Sequence, residues 1–452
     1  MDYIQIVNLI FFILFGCLSL LFAHFVFFAI VGIFCKKKYP KTEEKRKYGI
    51  VVSARNEEKV IGNLIASIRK TSYPQDKLHI FVVAHNCTDN TAQFAREAGA
   101  IVYEYNNENE CTKGYAFRYL FEQIQKEYGI ESFDGFFQFD ADNVVATNYF
   151  DKMNDAFVAG EGKNVITSFR NSKNFSSNTL SAMYGLYFIY GCRFESRGRT
   201  ALGCSTRVQG TGFVIPSEFI KDGWNYVTLT EDWEFVVDQI LRGNKVCFCD
   251  DAVFYDEQPT GLRVMWRQRV RWAKGHLLVC STRLKDLIKT LFRSKKKQPN
   301  LHRMSIYDVT MNILPICIIG TALSLLNLVA LLLAPLFGEY DLSKILTDYL
   351  WNMFRGLGFS YLMLVLASVA IYLLEGRRIK ISKPHIVVTS ILLWPFFLFI
   401  SPPAEIVALF RKNLKWKPIP HDDSTDIETI DASVSLSNKS FLNIDAEDET
   451  SV

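Results

Sequence analysis

The chain has 452 residues, 49% of them apolar, a net charge of +4 and a mean hydropathy of +0.08. That length accommodates one large soluble domain plus membrane segments, and so small a charge argues against a nucleic-acid partner. Its ten cysteines form no Cys-x-x-Cys pair, which fits reduced thiols rather than a disulfide framework.

Ile6 to Phe34 is an apolar run longer than the roughly 20 residues that cross a bilayer. No basic stretch precedes it and Lys36-Lys37-Lys38 follows it. It therefore reads as a retained span, residues 1–35, with the next domain on the cytosolic side. From Tyr48 the pattern changes. Tyr48 to Ala54 reads as a buried strand ending at Arg55-Asn56-Glu57, and Val60 to Ile68 as a helix. Leu78 to Ala84 is a second strand, after which Asn86-Cys87-Thr88-Asp89 caps a helix to Ala98. Ala100 to Tyr105 is a third strand, and Gly135 to Phe139 a fourth that runs into Asp140. Repeated β-α-β units predict an α/β domain over residues 45–275, with a mostly parallel sheet and its ligands at the carboxyl ends of the strands.

Leu284 to Arg293 is amphipathic and is expected to lie on the membrane surface within residues 276–300, beside Lys295-Lys296-Lys297. Ile306 to Phe337 and Leu350 to Leu374 are each long enough to span, and Arg377, Arg378 and Lys380 mark a cytosolic return. His385 to Phe410 is broken at Pro402-Pro403, and Arg411, Lys412, Lys415 and Lys417 follow it. Basic residues at both ends fit a re-entrant hairpin better than a simple crossing. These runs make residues 305–412 a membrane region. The tail, 418–452, is rich in Asp, Glu, Ser and Thr and is expected to be disordered, without a catalytic role.

Asp140-Ala141-Asp142 ends an apolar strand. Alternate strand residues share a face, so both carboxylates can converge on one ion. Their hard oxygens suit Mg²⁺ or Mn²⁺, with diphosphate and water completing the shell. Arg55, Glu57, His85 and Asp89 stand at the ends of the first two strands, where polar groups can meet a base and ribose; Asp89 is equally a helix cap. Lys113-Gly114 opens the next helix, where a cation and a flexible glycine can meet a diphosphate. Thr230-Glu231-Asp232 precedes a helical pattern, with Thr230 as a fair N-cap. Acids in a first turn are favourable for structural reasons alone. Glu231 and Asp232 are nevertheless the catalytic candidates, and Asp232 is the better general base, its pKa expected to be lowered by the helix N-terminus. Gln268, Arg271 and Trp272 share a helix face. Arg271 can stabilise a leaving diphosphate; Trp272 can stack under a sugar or anchor at a membrane boundary. Gly210-Thr211-Gly212-Phe213 is either a plain turn or the acceptor side of a pocket, with Gly212 letting the backbone approach a ligand.

In that order the signals resemble the membrane-embedded family-2 inverting glycosyltransferases, a group that includes cellulose, hyaluronan, chitin and poly-N-acetylglucosamine synthases. The resemblance covers about Tyr48 to Lys274. It implies a GT-A fold, a UDP-sugar donor and a divalent metal. It places Arg55, Glu57 and Asp89 around the uridine, Lys113 on the nucleotide, Asp140 and Asp142 on nucleotide and metal, Asp232 as base, and Gln268, Arg271 and Trp272 on diphosphate and acceptor. One departure is visible. The second strand often ends in an Asp that meets the base, and here that place reads Ala84-His85; His85 can substitute for it, or Asp89 can suffice. The implied product is a β-linked extracellular polysaccharide built at the cytosolic face of the cell membrane, in contact with membrane lipids. Transfer of one sugar to a membrane lipid is the alternative. With about four apolar runs, a polymer channel would be small or shared between protomers of a homo-oligomer. Intact Asp140, Asp142 and Asp232 argue against a non-catalytic scaffold. Ionisable groups are sparse in the spans, limited to His24, Asp308, Arg355 and Glu405, which argues against a transporter.

Overall fold

The computed structural model describes residues 1–293, 301–379, 383–412, 419 and 421–430. Lys295 to Lys297, Lys380, Lys415, Lys417 and the acidic tail beyond Ile430 lie outside the described residues. The chain opens with helix α1 (Tyr3–Phe34), whose first turn is capped by the Asp2 side chain accepting from the Gln5 amide at 2.8 Å. The catalytic domain then runs β1 (Tyr48–Ala54), α2 (Ile61–Arg69), β2 (Leu78–His85), α3 (Thr91–Glu97), β3 (Ile101–Tyr105), α4 (Lys113–Glu127), β4 (Gly135–Asp140), β5 (Val144–Val145), α5 (Tyr149–Ala159) and β6 (Asn164–Ser172). Helix α6 (Thr179–Tyr190) passes through a π-helical turn at Gly191–Ser196 into α7 (Arg197–Ala201). Strand β7 (Phe213–Pro216), α8 (Glu231–Arg242), β8 (Lys245–Asp256) and α9 (Leu262–Leu291) complete the domain. Helices α10 (Arg303–Ile313), α11 (Ile316–Leu332), α12 (Leu342–Glu375), α13 (Pro384–Phe399) and α14 (Ser401–Phe410) follow.

The eight strands form one sheet in the order β3-β2-β1-β4-β7-β6-β8-β5. The β3-β2-β1-β4 half is parallel throughout, β6 also runs parallel to β8, and β7 runs antiparallel to both its neighbours, so the sheet is mixed. The strands are apolar in unbroken runs because both faces are covered. Val51 packs with Phe81, Phe117 and Leu120 on one side, while Ile50 and Val52 pack with Leu64, Ile65 and Phe137 on the other. Parallel β-α-β units gather their carboxyl ends at one edge, which is where a ligand meets the domain.

Among the described residues, four helical stretches are long and apolar enough to cross a membrane: Tyr3–Phe34, Ile316–Leu336, Leu342–Arg378 and Pro384–Phe410. The predicted span Ile306 to Phe337 is divided. Leu314 is extended and Pro315 stands just before α11, so the α10 half is separate, and its Ile306, Val309 and Ile313 are buried in the catalytic core. The predicted surface helix after Trp272 is likewise not separate: α9 continues unbroken through Leu284, and its Leu287 is fully buried. Gly275 is tolerated within α9 because a Cβ there would come within 2.4 Å of Thr230. The run His385 to Phe410 breaks at Ile400, two residues before Pro402. Its halves part company: α13 lies against α6, with Thr389 bonded to Thr179 at 2.9 Å, whereas Ala404 and Ala408 of α14 pack on Val270 of α9.

At one point helix α1 meets the α/β domain backbone to backbone. Gly32 and Gly198 face each other, and a Cβ on Gly198 would stand 2.0 Å from the Phe28 carbonyl oxygen. Arg199 adds a paired contact to Asp308, at 2.8 and 3.0 Å, and His24 meets the same carboxylate at 3.1 Å. Gly198→Ala should force these backbones apart. The expected cost is about 1–3 kcal/mol, read as a lower unfolding temperature in detergent; an unchanged temperature would show that the contact is not held.

Candidate active site

Beside the carboxyl edge of the sheet is a cavity of about 450 Å³, lined among others by Arg55, Glu57, His85, Lys113, Asp140, Asp142, Glu231, Asp232, Gln268, Arg271 and Trp272. Those eleven sequence-selected residues come together there. Asp89 and Gly212 do not line it. Both Asp89 oxygens are used locally, one by the Thr91 amide at 3.1 Å and the other by the Glu58 amide at 3.2 Å, so Asp89 fastens the start of α3. Gly212 donates to the Gln138 carbonyl at 2.8 Å, and a Cβ would stand 2.2 Å from the Phe254 ring, so its task is sheet packing. The pocket is met instead by Gly210 (φ +82), whose missing Cβ would stand 3.7 Å from Asp232 Oδ2.

The ends of β1 and β2 turn through left-handed asparagines, Asn56 (φ 58) and Asn86 (φ 52). Asn56 Oδ1 accepts from the Thr88 amide at 2.8 Å and Asn86 Oδ1 from the Asn107 amide at 2.7 Å, fixing both loops around the site. His85 is buried, lies 2.7 Å from the Glu110 carbonyl and stacks on Tyr105; burial holds its pKa below the usual value. Glu57 is pushed up to about 7, first by burial and also by Asp142 and Asp140, against the pull of His421.

Lys113 joins two parts of the site. Its ammonium donates to Asp140 and, at 2.9 Å, to the Gly210 carbonyl, and it lies 4.0 Å from Glu231. Burial works against the charge, but Asp140 and Glu231 together hold its pKa above normal. Gly114 beside it is needed for packing: a Cβ would stand 2.1 Å from the Tyr226 carbonyl. The Asp140 amide donates to Thr211 Oγ1 at 2.9 Å, and Asp142 Oδ2 accepts from the Glu257 amide at 2.9 Å. Asp142 is buried, which favours its neutral form, yet His421, Lys173 and Arg170 hold its carboxyl below the usual range. Asp140 and Asp142 thus offer anionic oxygens to the cavity, the donor chemistry that Mg²⁺ or Mn²⁺ takes. Among the described residues no three such side chains close a cage, which suits a cation whose remaining ligands come from a diphosphate and water.

Glu231 and Asp232 open α8. Thr230 stands at the N-cap, but its hydroxyl makes no capping bond. The Trp233 amide at the helix N-terminus pulls the Asp232 pKa down as expected, but the net direction is the opposite. Burial raises it, outweighing the Trp233 amide, Lys113 and Arg271. Glu231 is pushed up to about 7 by burial, opposed by Lys113 and assisted by Asp232. On α9, Gln268 Oε1 accepts from Tyr184 at 2.7 Å, and Arg271 donates to the Leu229 carbonyl at 3.0 Å. Trp272 lies parallel to Tyr187, ring centres 6.4 Å apart.

Further lining residues escaped the sequence reading. Asp256 ends β8 and Glu257 and Gln258 follow it, the same apolar-strand-into-acid signal that marked Asp140. Arg170 binds Asp256 at 2.8 Å and lies over the Phe188 ring, 3.5 Å from its centre. Burial, with Asp142 adding and Arg170 opposing, lifts Asp256 to about 6. Arg269 stacks over Tyr187 and Phe397, at 4.5 and 4.3 Å, fastening α9 to α6 and α13. The tail is also partly ordered: His421 reaches Glu57 inside the cavity, against the expectation of a disordered segment from that residue onward.

A poly-β-1,6-N-acetyl-D-glucosamine synthase from Staphylococcus epidermidis is 23% identical over 392 residues, covering 83% of this chain and 86% of that protein. A β-monoglucosyldiacylglycerol synthase from Nostoc is 25% identical over 280 residues, covering 59% of this chain and 56% of that protein. The chain spans only about three fifths of the length of the first curated relatives it matches. The fold is shared with the mannosyltransferase PcManGT from Pyrobaculum calidifontis, solved with GDP-mannose and Mn²⁺, at a TM-score of 0.53 and 12% identity, covering 91% of this chain and 99% of that one. Residues 46–275, half of the chain, match the family described as glycosyltransferase like family 2, and the chain belongs to that family.

Proposed function

We propose that the chain moves a sugar from a UDP-sugar to the end of a growing β-linked polysaccharide, with inversion, at the cytosolic face of the membrane. The observation that carries this reading is the continuity of the cavity. It runs from Arg55 and Asp142 past Asp232 and Trp272 to Ser401, Ala404 and Glu405 of α14, so donor and acceptor can approach Asp232 from opposite ends. The polymer acceptor is favoured because the poly-N-acetylglucosamine synthase match extends over the C-terminal helices, covering 83% of the chain, whereas the lipid synthase match covers 59%.

In this mechanism the Asp232 carboxylate takes the proton of the acceptor hydroxyl. The oxygen attacks the anomeric carbon as the bond from that carbon to the UDP oxygen breaks, so an α-linked donor gives a β-linked product. Lys113 and Arg271, both half-buried beside the acidic pair, stabilise the charge that gathers on the departing diphosphate. A divalent cation held by Asp140 and Asp142 would neutralise the same diphosphate. Trp272 and Tyr187 offer aromatic faces against which a sugar ring can pack. Transfer of one sugar to a lipid hydroxyl is the second reading, supported by the cavity's opening among helices apolar enough to enter a membrane.

The test is UDP release by purified protein with a panel of UDP-sugars and Mn²⁺, followed by sizing of the product. A labelled product that grows with time and stays in the aqueous phase supports the polymer; a label of fixed size extracted into organic solvent supports the lipid, and no release with any donor overturns both. The rate also has a predictable pH dependence. Burial raises the Asp232 pKa, and the base works only when ionised, so kcat/KM should rise with pH along a limb that lies above the ordinary carboxylate range and then level. Glu231→Gln removes a neighbouring negative charge, eases proton loss from Asp232, and should move that limb to lower pH by about one unit.

A further inference from the structure

The described part of the C-terminal segment is fastened across the donor end of the cavity by contacts of three kinds. His421 Nδ1 lies 3.0 Å from both carboxylate oxygens of Glu57, with its side chain only 19% exposed. The Asp422 and Asp423 amides donate to the two oxygens of Glu257, at 3.1 and 3.0 Å, and the fully buried Lys173 donates to the Asp423 carbonyl at 2.5 Å. Beyond them Ile427 and Ile430, 3% and 1% exposed, pack on Val144 and Tyr255 at the edge of the sheet. Asn63 binds the Ser424 carbonyl at 2.8 Å, and Lys70 pairs with Glu428 at 2.7 Å. A chance contact of an acidic tail would not bury two isoleucines and satisfy a buried lysine at once.

We infer that residues 421–430 are an autoinhibitory strap, which lies across the donor end of the cavity and must leave before a metal-bound nucleoside diphosphate can bind. The inference rests on the proposed reading of that end as the donor site. Glu57, Asp142, Glu257 and Asp256 concentrate negative charge around one small volume, relieved on the protein side by Arg170 and Lys173. The His421 ring enters among the first three of these acids. A cation brought in with a diphosphate would answer the same charge from the same side, so strap and donor compete for one place. The strap's contacts with Val144, Tyr255, Lys59 and Lys70 lie outside the cavity lining, so it can be weakened there without touching the pocket.

The experiment uses the full-length chain in detergent and measures UDP affinity with Mn²⁺ present, together with hydrogen exchange at the Asp422 and Asp423 amides. In the wild type, UDP with Mn²⁺ should speed exchange at those two amides. Ile427→Asp combined with Ile430→Asp should tighten UDP binding about tenfold, because a larger fraction of molecules is then competent, and His421→Ala should tighten it less. Binding that is unchanged or weaker in both variants, or slower exchange with UDP, overturns the strap while leaving the donor site standing. UDP that binds neither wild type nor variants overturns the donor site and the strap together.

Discussion

Asp232→Asn should lower kcat by about 10²–10⁴-fold, the usual worth of a positioned general base, while UDP affinity with Mn²⁺ stays within about twofold. The reasoning is geometric. Asp232 sits in the first turn of α8, beside the bare backbone of Gly210, and lines the cavity together with Arg271 and Trp272. An asparagine keeps the size and the hydrogen-bonding reach but cannot take a proton. Burial has already raised the aspartate's affinity for a proton, which suits a base that must accept one from a sugar hydroxyl. Glu231→Gln serves as the comparison. It should shift the pH profile and cost far less at the optimum. If the two substitutions cost the same, or if Asp232→Asn keeps more than a tenth of the rate, the assignment of the base fails. UDP release and UDP binding, measured on the same preparations, separate loss of chemistry from loss of the site.

Arg271→Ala should cost about 10²–10³-fold in kcat, comparable to removal of a donor that stabilises developing charge. Arg271 is half-buried, and desolvation pulls its pKa below normal against the opposing support of Glu231, Asp232 and Asp140. One of its nitrogens is committed to the Leu229 carbonyl at 3.0 Å, which aims the guanidinium and leaves its other donors for a ligand. Arg271→Lys keeps a charge but loses the planar fork. It should recover part of the rate and leave donor KM closer to wild type than kcat. Equal losses in kcat and donor affinity for both variants would indicate a binding anchor without a role in bond breaking.

The parallel half of the sheet was legible because its strands are buried on both faces and end in polar residues: apolar runs such as Ile50 to Val52 and Phe136 to Phe139 each stop at a functional side chain. The three-part order of Asp140, Asp232 and Arg271 was legible for the same reason, since each follows a clear change of pattern. Asp89 and Gly212 were misplaced because a carboxylate at a helix start and a glycine in a turn carry the same letters whether they serve a ligand or the backbone. Asp256 was missed although β8 announces it as plainly as β4 announces Asp140. Pro315 divides α10 from α11, but averaging hydropathy across it hides the break. The docked tail was hidden by composition. Among the described tail residues its apolar anchors are Ile427 and Ile430, three apart in an acidic stretch, and nothing in their spacing says which surface they meet.

The glycine-to-glycine contact between α1 and α7 sets a working distance. Where side chains separate two elements, rotamer changes give the joint play; where backbone lies on backbone there is none to give. The proposed base, Asp232, is therefore held near one height relative to α1, and the domain has little slack at that joint with which to reach outward. An acceptor has to be delivered to that height, and its own length, more than any contact it makes, decides whether its hydroxyl arrives.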